Sequence, residues 1–131
     1  MKHYTGLLLI ALSVCFSSFT ITNTVEMDDV VIALKSGNAS HLSRYFDNRV
    51  DISLPDKTDN YSRTQAEMII RDFFSNNAVR NFEIKYKSEK IGSNYCVGTL
   101  QTKTGNYRTT LFMKQKGDKQ YLQDLSFQKI E

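Results

Sequence analysis

The stretch from Thr64 to Lys129 narrows the fold more than any other part of this chain. It reads as one capped helix followed by four strands joined by short turns. Ala66, Ile69, Ile70, Phe73 and Phe74 recur at the spacing that lines one face of a helix. Thr64 and Glu67 have the Thr-x-x-Glu spacing of a capping box, which predicts the helix start, and Asn76-Asn77 marks its end. Phe82, Ile84 and Tyr86 then alternate with Glu83, Lys85 and Lys87, the pattern of a half-buried strand. Further strands are predicted over Tyr95 to Thr102, Tyr107 to Lys114 and Tyr121 to Phe127, after turns at Ile91 to Asn94, Gly105-Asn106 and Gly117-Asp118. Consecutive hairpins make an antiparallel meander, and a helix with a wide apolar face must pack on it. Gly98, in mid-strand, predicts a bulge or bend that lets the sheet curl around the helix.

The segment before Thr64 adds two helices and a strand. Met27, Val30, Val31 and Leu34 form one apolar stripe; Glu26, Asp28 and Asp29 lie at its N-terminal end and Lys35 in its last turn, as the helix dipole favours. Gly37 is placed as the residue that ends this helix, and Asn38 caps a second, Ala39 to Phe46. Val50, Ile52 and Leu54 alternate with Asp51 and Ser53 as a strand, which Pro55-Asp56 ends. Asp56 to Ser62 reads as a loop with a short returning strand at Asn60 to Ser62. The fold class expected is α+β, with three N-terminal helices packed on a curved antiparallel sheet.

The N-terminus predicts export. Lys2 and His3 precede an apolar run, Leu7 to Phe16, and a Ser/Thr-rich stretch follows to Thr24, which is the layout of a signal peptide over residues 1–24 ahead of one domain over 25–131. The run is shorter than the roughly 20 apolar residues of a membrane span. Leu12-Ser13-Val14-Cys15 resembles a lipoprotein signal, but the branched Val14 before the cysteine disfavours lipid anchoring at Cys15. Cleavage leaves Cys96 alone, without an internal disulfide partner, and its neighbours Tyr95 and Val97 suggest a buried, inert thiol.

Charge is unevenly spread. Val25 to Val79 carries six Lys/Arg against nine Asp/Glu, whereas Arg80 to Glu131 carries ten against five. Such asymmetry marks either a solvated sheet face or a surface for an acidic partner or for self-association.

The order of elements looks like the nuclear transport factor two-like, or cystatin-like cone, superfamily. The wording of Ala33-Leu34-Lys35-Ser36-Gly37-Asn38-Ala39, Leu42-Ser43-Arg44-Tyr45-Phe46-Asp47, Ala66-Glu67 with Phe73-Phe74, Phe82, Tyr95 with Gly98-Thr99-Leu100, and Tyr107-Arg108 resembles an uncharacterised family of exported proteins found mainly in Bacteroidota. The resemblance implies the cone fold and export, and brings no activity. The superfamily contains ketosteroid isomerase, scytalone dehydratase and polyketide cyclases beside many non-catalytic binding modules. Its enzymes hold Asp, His and Tyr side chains inside the cone.

Against that pattern the chemistry here is sparse. His41 is the one histidine after the signal region, and Asp124 is the one strand carboxylate whose register allows an inward direction; Glu83 and Glu89 alternate away from their strand's apolar face. One histidine and one free cysteine make no zinc site, and no cofactor motif is present. Tyr86, Tyr107, Thr109 and Tyr121 are the candidate ligand-binding residues, amphipathic groups suited to a partly apolar ligand. Lys85, Lys87, Arg108, Lys114 and Lys116, with Phe112 among them, form a basic platform. Export argues against a nucleic acid as its partner.

The expectation is an exported, non-catalytic module that binds an unknown small ligand or protein partner in the cone, with a homodimer through the sheet face as a further arrangement. The competing expectation is a small lyase or isomerase using Asp124 or His41 with a pocket tyrosine. Exported material is expected to begin between Ser18 and Val25 on N-terminal sequencing; secreted protein that still starts at Met1 would contradict the signal peptide.

Overall fold

The structure, a computed structural model, describes residues 25–131; the signal-peptide and Cys15 expectations lie outside the described residues. Helix α1 (Val25–Ser36) buries Met27, Val30 and Leu34 completely. It ends as the sequence predicts. Gly37 takes a φ of +64°, its N–H donates to Leu34 O, and Asn38 N–H reaches back to Ala33 O. That is a Schellman closure, which suits glycine because a left-handed residue with a Cβ is strained. A Cβ at Gly37 would also meet Val79 at 2.8 Å.

Asn38 caps α2 (Ala39–Ser43), accepting from His41 N–H at 2.9 Å. The second helix is shorter than expected. Phe46 does not extend it but opens strand β1 (Phe46–Leu54), where it pairs with Leu122 and is fully buried. Pro55-Asp56 makes a two-residue turn into β2 (Lys57–Ser62), so the expected loop with a short returning strand is a complete hairpin.

Helix α3 (Arg63–Asn77) starts two residues earlier than the Thr64 cap predicts. Ser62 Oγ accepts from Gln65 N–H and Gln65 Oε1 accepts from Ser62 N–H. The capping box is therefore Ser62 and Gln65, because the backbone leaves β2 extended at Ser62 and Thr64 already lies in the first turn. Glu67 is left to bind elsewhere: its carboxylate accepts from Arg71 at 2.6 Å and from Ser43 Oγ at 2.6 Å, which ties α3 to α2.

Strands β3 (Val79–Lys90), β4 (Ser93–Thr102), β5 (Gly105–Lys116) and β6 (Lys119–Ile130) form the predicted meander. The six-stranded sheet has the order β2-β1-β6-β5-β4-β3 and does not close. Its class is the expected α+β, but it is not wholly antiparallel. β1 lies parallel to β6, and the chain passes through β2, α3 and β3 to β5 before returning beside β1.

Register shifts at Ile84/Tyr86 and at Phe112/Met113 curl the sheet around the helices. Gly98 does not itself bulge; it sits opposite Ile84, beside the bulge in β3. The Phe82 ring lies over it, and a Cβ there would approach that ring to 2.4 Å. Buried side chains of α1, α3 and the strands pack together on the concave side of the sheet. Phe73 of α3 lies 4.7 Å from Phe127 and 5.1 Å, edge-on, from Tyr107 between ring centroids.

In urea melts, Ser62→Ala is expected to cost about 1 kcal/mol and Phe73→Ala about 3–5 kcal/mol, with Thr64→Ala within about 0.5 kcal/mol of the parent. A Thr64→Ala loss equal to that of Ser62→Ala would return the cap to Thr64.

Candidate functional site

Strand alternation sorts the predicted site residues onto two faces. Tyr107 and Thr109 point inward with Leu111 and Met113, and both are buried. The Tyr107 hydroxyl donates to Asn77 Oδ1 at 2.9 Å, and Asn77 Nδ2 in turn donates to Phe73 O. These two residues join the end of α3 to the sheet, inside packed core. Tyr86 and Tyr121 lie on the opposite, outer face, opposite Val97 and Lys114 respectively. The four residues therefore do not share a pocket. The bulge after Ile84 contributes to this, because one extra residue reverses which side Tyr86 takes.

The outer face holds something the sequence reading did not assemble. Tyr86 packs edge-on against Tyr95 of β4 at 6.3 Å, and Tyr86 is 58% exposed. This pair separates two open depressions. One, of about 460 Å³, is bordered by Lys85, Val97, Arg108 and Ile130; the other, of about 310 Å³, by Ser88, Lys90 and Phe112. Tyr95 was legible as a strand residue but not as a partner of Tyr86. Its signal is the alternation that puts Tyr95, Val97 and Thr99 on one side of β4 and Asn94, Cys96 and Leu100 on the other.

The basic platform divides as well. Lys87 pairs inward-side, 3.5 Å from Asp28 of α1 and 3.4 Å from Glu89, while Lys116 holds Asp47 at 2.6 Å. Burial pushes the Asp47 carboxyl up, but Lys116, Gln123 and the Asn48 N–H together hold it below its ordinary range. Lys85 reaches Glu83 at 3.1 Å on the surface. Arg108 and Lys114 make no ion pair among the described residues, and both face outward beside the aromatic pair.

Asp124 is not inside the cone. It lies on the outer face opposite Phe112 and beside Asp51 of β1, whose carboxylate accepts from Asn60 Nδ2 at 2.8 Å. Burial raises the Asp124 pKa, and the neighbouring Asp51 raises it further through charge and a shared hydrogen bond. The inward register expected for Asp124 fails at the β6 irregularity, which lets Leu122 and Leu125 both face the core.

His41 sits in the helical layer. Its Nε2 lies 2.7 Å from Asp29 Oδ2, and the Tyr45 hydroxyl donates to the same oxygen. Tyr45 and His41 lower the Asp29 pKa; burial, then Asp29, push the Tyr45 phenol up to about 12. The histidine is thus oriented by a carboxylate, away from Tyr107 and the outer-face tyrosines. Cys96 is buried, and burial raises its thiol to about 11, slightly offset by Lys87, so it stays protonated. Among the described residues no three His, Cys, Asp or Glu groups converge as metal ligands, and no helix is long and apolar enough to cross a membrane.

The model of DUF4783, a domain of unknown function, matches residues 27–128. The chain belongs to that family. A DUF4783 protein from Bacteroides uniformis superposes with a TM-score of 0.78 at 28% identity, covering 83% of this chain and 99% of its own. The fold also extends to distant structures. One from Thiobacillus denitrificans is described as a calcium/calmodulin-dependent protein kinase type II association domain, with a TM-score of 0.64, 8% identity, and 80% and 92% coverage. Another, a nuclear transport factor two-like protein of unknown function from Cytophaga hutchinsonii, has a TM-score of 0.58, 6% identity, and 79% and 86% coverage. The nuclear transport factor two-like fold expected from the order of elements is therefore the fold of this DUF4783 domain. Among curated proteins none matches.

Asp29 and Tyr45 set opposite pH windows. The folded Asp29 pKa is depressed, so its contribution is present above the ordinary carboxylate range and is lost as pH falls through the folded value. The folded Tyr45 pKa is raised, so its contribution is intact below 10 and is lost as pH rises toward about 12. Phenolate absorbance is expected to show a tyrosine titrating near pH 12, and Asp29→Asn to move it down without restoring 10, because burial, the larger cause, remains. A Tyr45 that titrates identically with and without the Asp29 carboxylate would remove that contact.

Proposed function

We propose that this DUF4783 domain is an exported, non-catalytic binding module whose working surface is the outer face of the sheet. The observation that carries the reading is the exposed Tyr86–Tyr95 pair, set between two open depressions and beside Arg108, which makes no ion pair among the described residues. An exposed tyrosine pair has no evident role in holding this fold, whereas rigid aromatic rings with a polar tip are efficient contact groups. Arg108 adds a fixed positive charge at the margin. The surface suits a partner with an apolar patch and carboxylates.

The cone is a weaker candidate, because Phe73, Phe127 and Tyr107 pack against one another inside it and the Tyr107 hydroxyl is bonded to Asn77. One distant structural relative is described as an association domain, which agrees with a binding role without naming a partner. Export rests on Lys2 and the apolar run Leu7 to Phe16. A lyase or isomerase would draw on Asp124, which shares the outer face with Tyr121, or on His41, which shares the Asp29 oxygen with Tyr45; the aromatic pair between two depressions favours binding over either.

Native mass spectrometry of the protein recovered from the exported fraction tests this. A retained species, whether a small molecule, a second chain or another protein, is expected in the parent and in Tyr107→Phe, and is expected to be lost in Tyr86→Ala plus Tyr95→Ala. Retention in the double variant with loss in Tyr107→Phe would move the site back into the cone. Turnover abolished by Asp124→Asn or His41→Ala would make the domain an enzyme.

A further inference from the structure

Arg108 stands on the outer face among neutral neighbours. Across the ladders it faces Thr99 on β4 and Gln128 on β6, and along β5 its outward neighbours are Asn106 and Thr110. Glu83 lies two strands away, opposite Thr99, and Lys85 already holds it at 3.1 Å. Asp124 lies further along β6, opposite Phe112, and Glu131 lies past the end of that strand. None of these three carboxylates forms an ion pair with Arg108. The guanidinium borders the depression of about 460 Å³. Tyr86, Tyr95 and Ile130 are exposed large apolar side chains, and all three border the same hollow, with Val97 between them. The smaller depression has Lys90 at its margin and no arginine.

We infer that the larger depression binds a small aromatic carboxylate, whose ring lies against Tyr86 and Tyr95 and whose carboxylate accepts from the Arg108 guanidinium. The inference rests on the outer-face reading above and names the class of ligand that face takes. The two tyrosine planes meet at 65° and so form a corner, where a third ring can stack on one and meet the other edge-on. The strands that carry Tyr86 and Arg108 are two ladder spacings apart, about 10 Å. Side chains reaching in from both ends leave room between them for a body of one or two rings. A carboxylate matches the planar fork of a guanidinium with two parallel N–H···O bonds, which a lysine cannot supply. Lys85 adds little net charge at the rim, because Glu83 accompanies it. The hollow also falls within the roughly 300–1,000 Å³ of small-molecule sites, which favours a compact ligand over a protein surface.

NMR titration of the isotope-labelled exported protein with naphthoate tests the inference. Saturable shifts are expected at the backbone amides of Val97, Thr99 and Arg108, with a dissociation constant below about 1 mM. Arg108→Gln is expected to weaken naphthoate at least about tenfold, and Tyr86→Ala comparably. Both side chains lie outside the core, so both variants are expected to unfold with the parent. Lys90→Gln is expected to leave the affinity unchanged. Naphthalene methanol, which keeps the rings and lacks the charge, is expected to bind at least about tenfold more weakly. The saturated decalin carboxylate, which keeps the charge and lacks the rings, is expected to bind about threefold more weakly or worse.

An absence of saturable shifts up to about 10 mM naphthoate, equal affinity for the alcohol, or an Arg108→Gln variant that binds like the parent would each overturn the inference. The two readings fail separately. A species from the exported fraction that is lost in Tyr86→Ala plus Tyr95→Ala, in a protein that ignores naphthoate, defeats the aromatic carboxylate and leaves the outer face in place. An identified species of that kind that is a protein does the same. A retained species that persists in the double variant defeats the outer-face reading and the inference with it.

Discussion

Phe73 lies between Phe127 and Tyr107 at the centre of the cone, and much of the molecule follows from that contact. Aromatic packing of this kind requires α3 to lie along the concave side of the sheet, and the sheet to curl far enough to reach it. Curling is achieved by the bulges in β3 and β6 and by Gly98, whose missing side chain lets Phe82 lie flat against β4. Asn77 then closes the end of the helix by accepting the Tyr107 and Thr104 hydroxyls while donating to Phe73 O. The polar groups nearest the aromatic centre are thus consumed by one another.

The features that the packed core does not use lie outward. Alternation along each strand forces every inward residue to have an outward neighbour, and the outward set is where this chain keeps features its stability does not require. Tyr86 and Tyr95 expose ring surface, and Asp124 stands beside Asp51, whose charge and shared hydrogen bond add to burial in raising its pKa. Lys87 and Lys116, by contrast, are tied to Asp28 and Asp47 and help seat α1 and β1. The same count of lysines in the sequence therefore covers two different roles, and only position on the sheet separates them.

The third helix and the last four strands were legible because each carries a strong period: a 3.6-residue stripe in α3 and alternation in the strands. What was not legible depended on events of one or two residues. The cap moved from Thr64 to Ser62 because β2 runs unbroken into the helix, and β2 itself carries no alternation to announce it, being polar from Lys57 to Asn60. The parallel pairing of β1 with β6 is a tertiary choice that no local pattern encodes. Side-chain direction was the most fragile inference. A bulge changes the face of every later residue in its strand, so Tyr86 and Asp124 left the faces that simple alternation gave them. The Asp29, His41 and Tyr45 cluster was hidden for a different reason: its members come from α1, α2 and the turn into β1, and only the angle between the helices brings them to one oxygen.

Local rules are broken most often where a sequence serves something other than its own stability. Here one violation lies off the proposed surface: Ala78 takes the left-handed conformation, φ 49°, at the end of α3. Its position explains it. Ala78 N–H closes the helix on Phe74 O while Ala78 O accepts from Lys103, so the strained residue locks α3 to the β4–β5 turn and serves the fold. The remaining violations, two adjacent carboxylates and an exposed aromatic pair, lie on the outer face, and among the described residues no ion pair reaches either carboxylate. A strained residue with a structural bond and a repelling pair without one are different signs. The second kind lies on the outer face, beside the exposed aromatic pair that carries the functional reading.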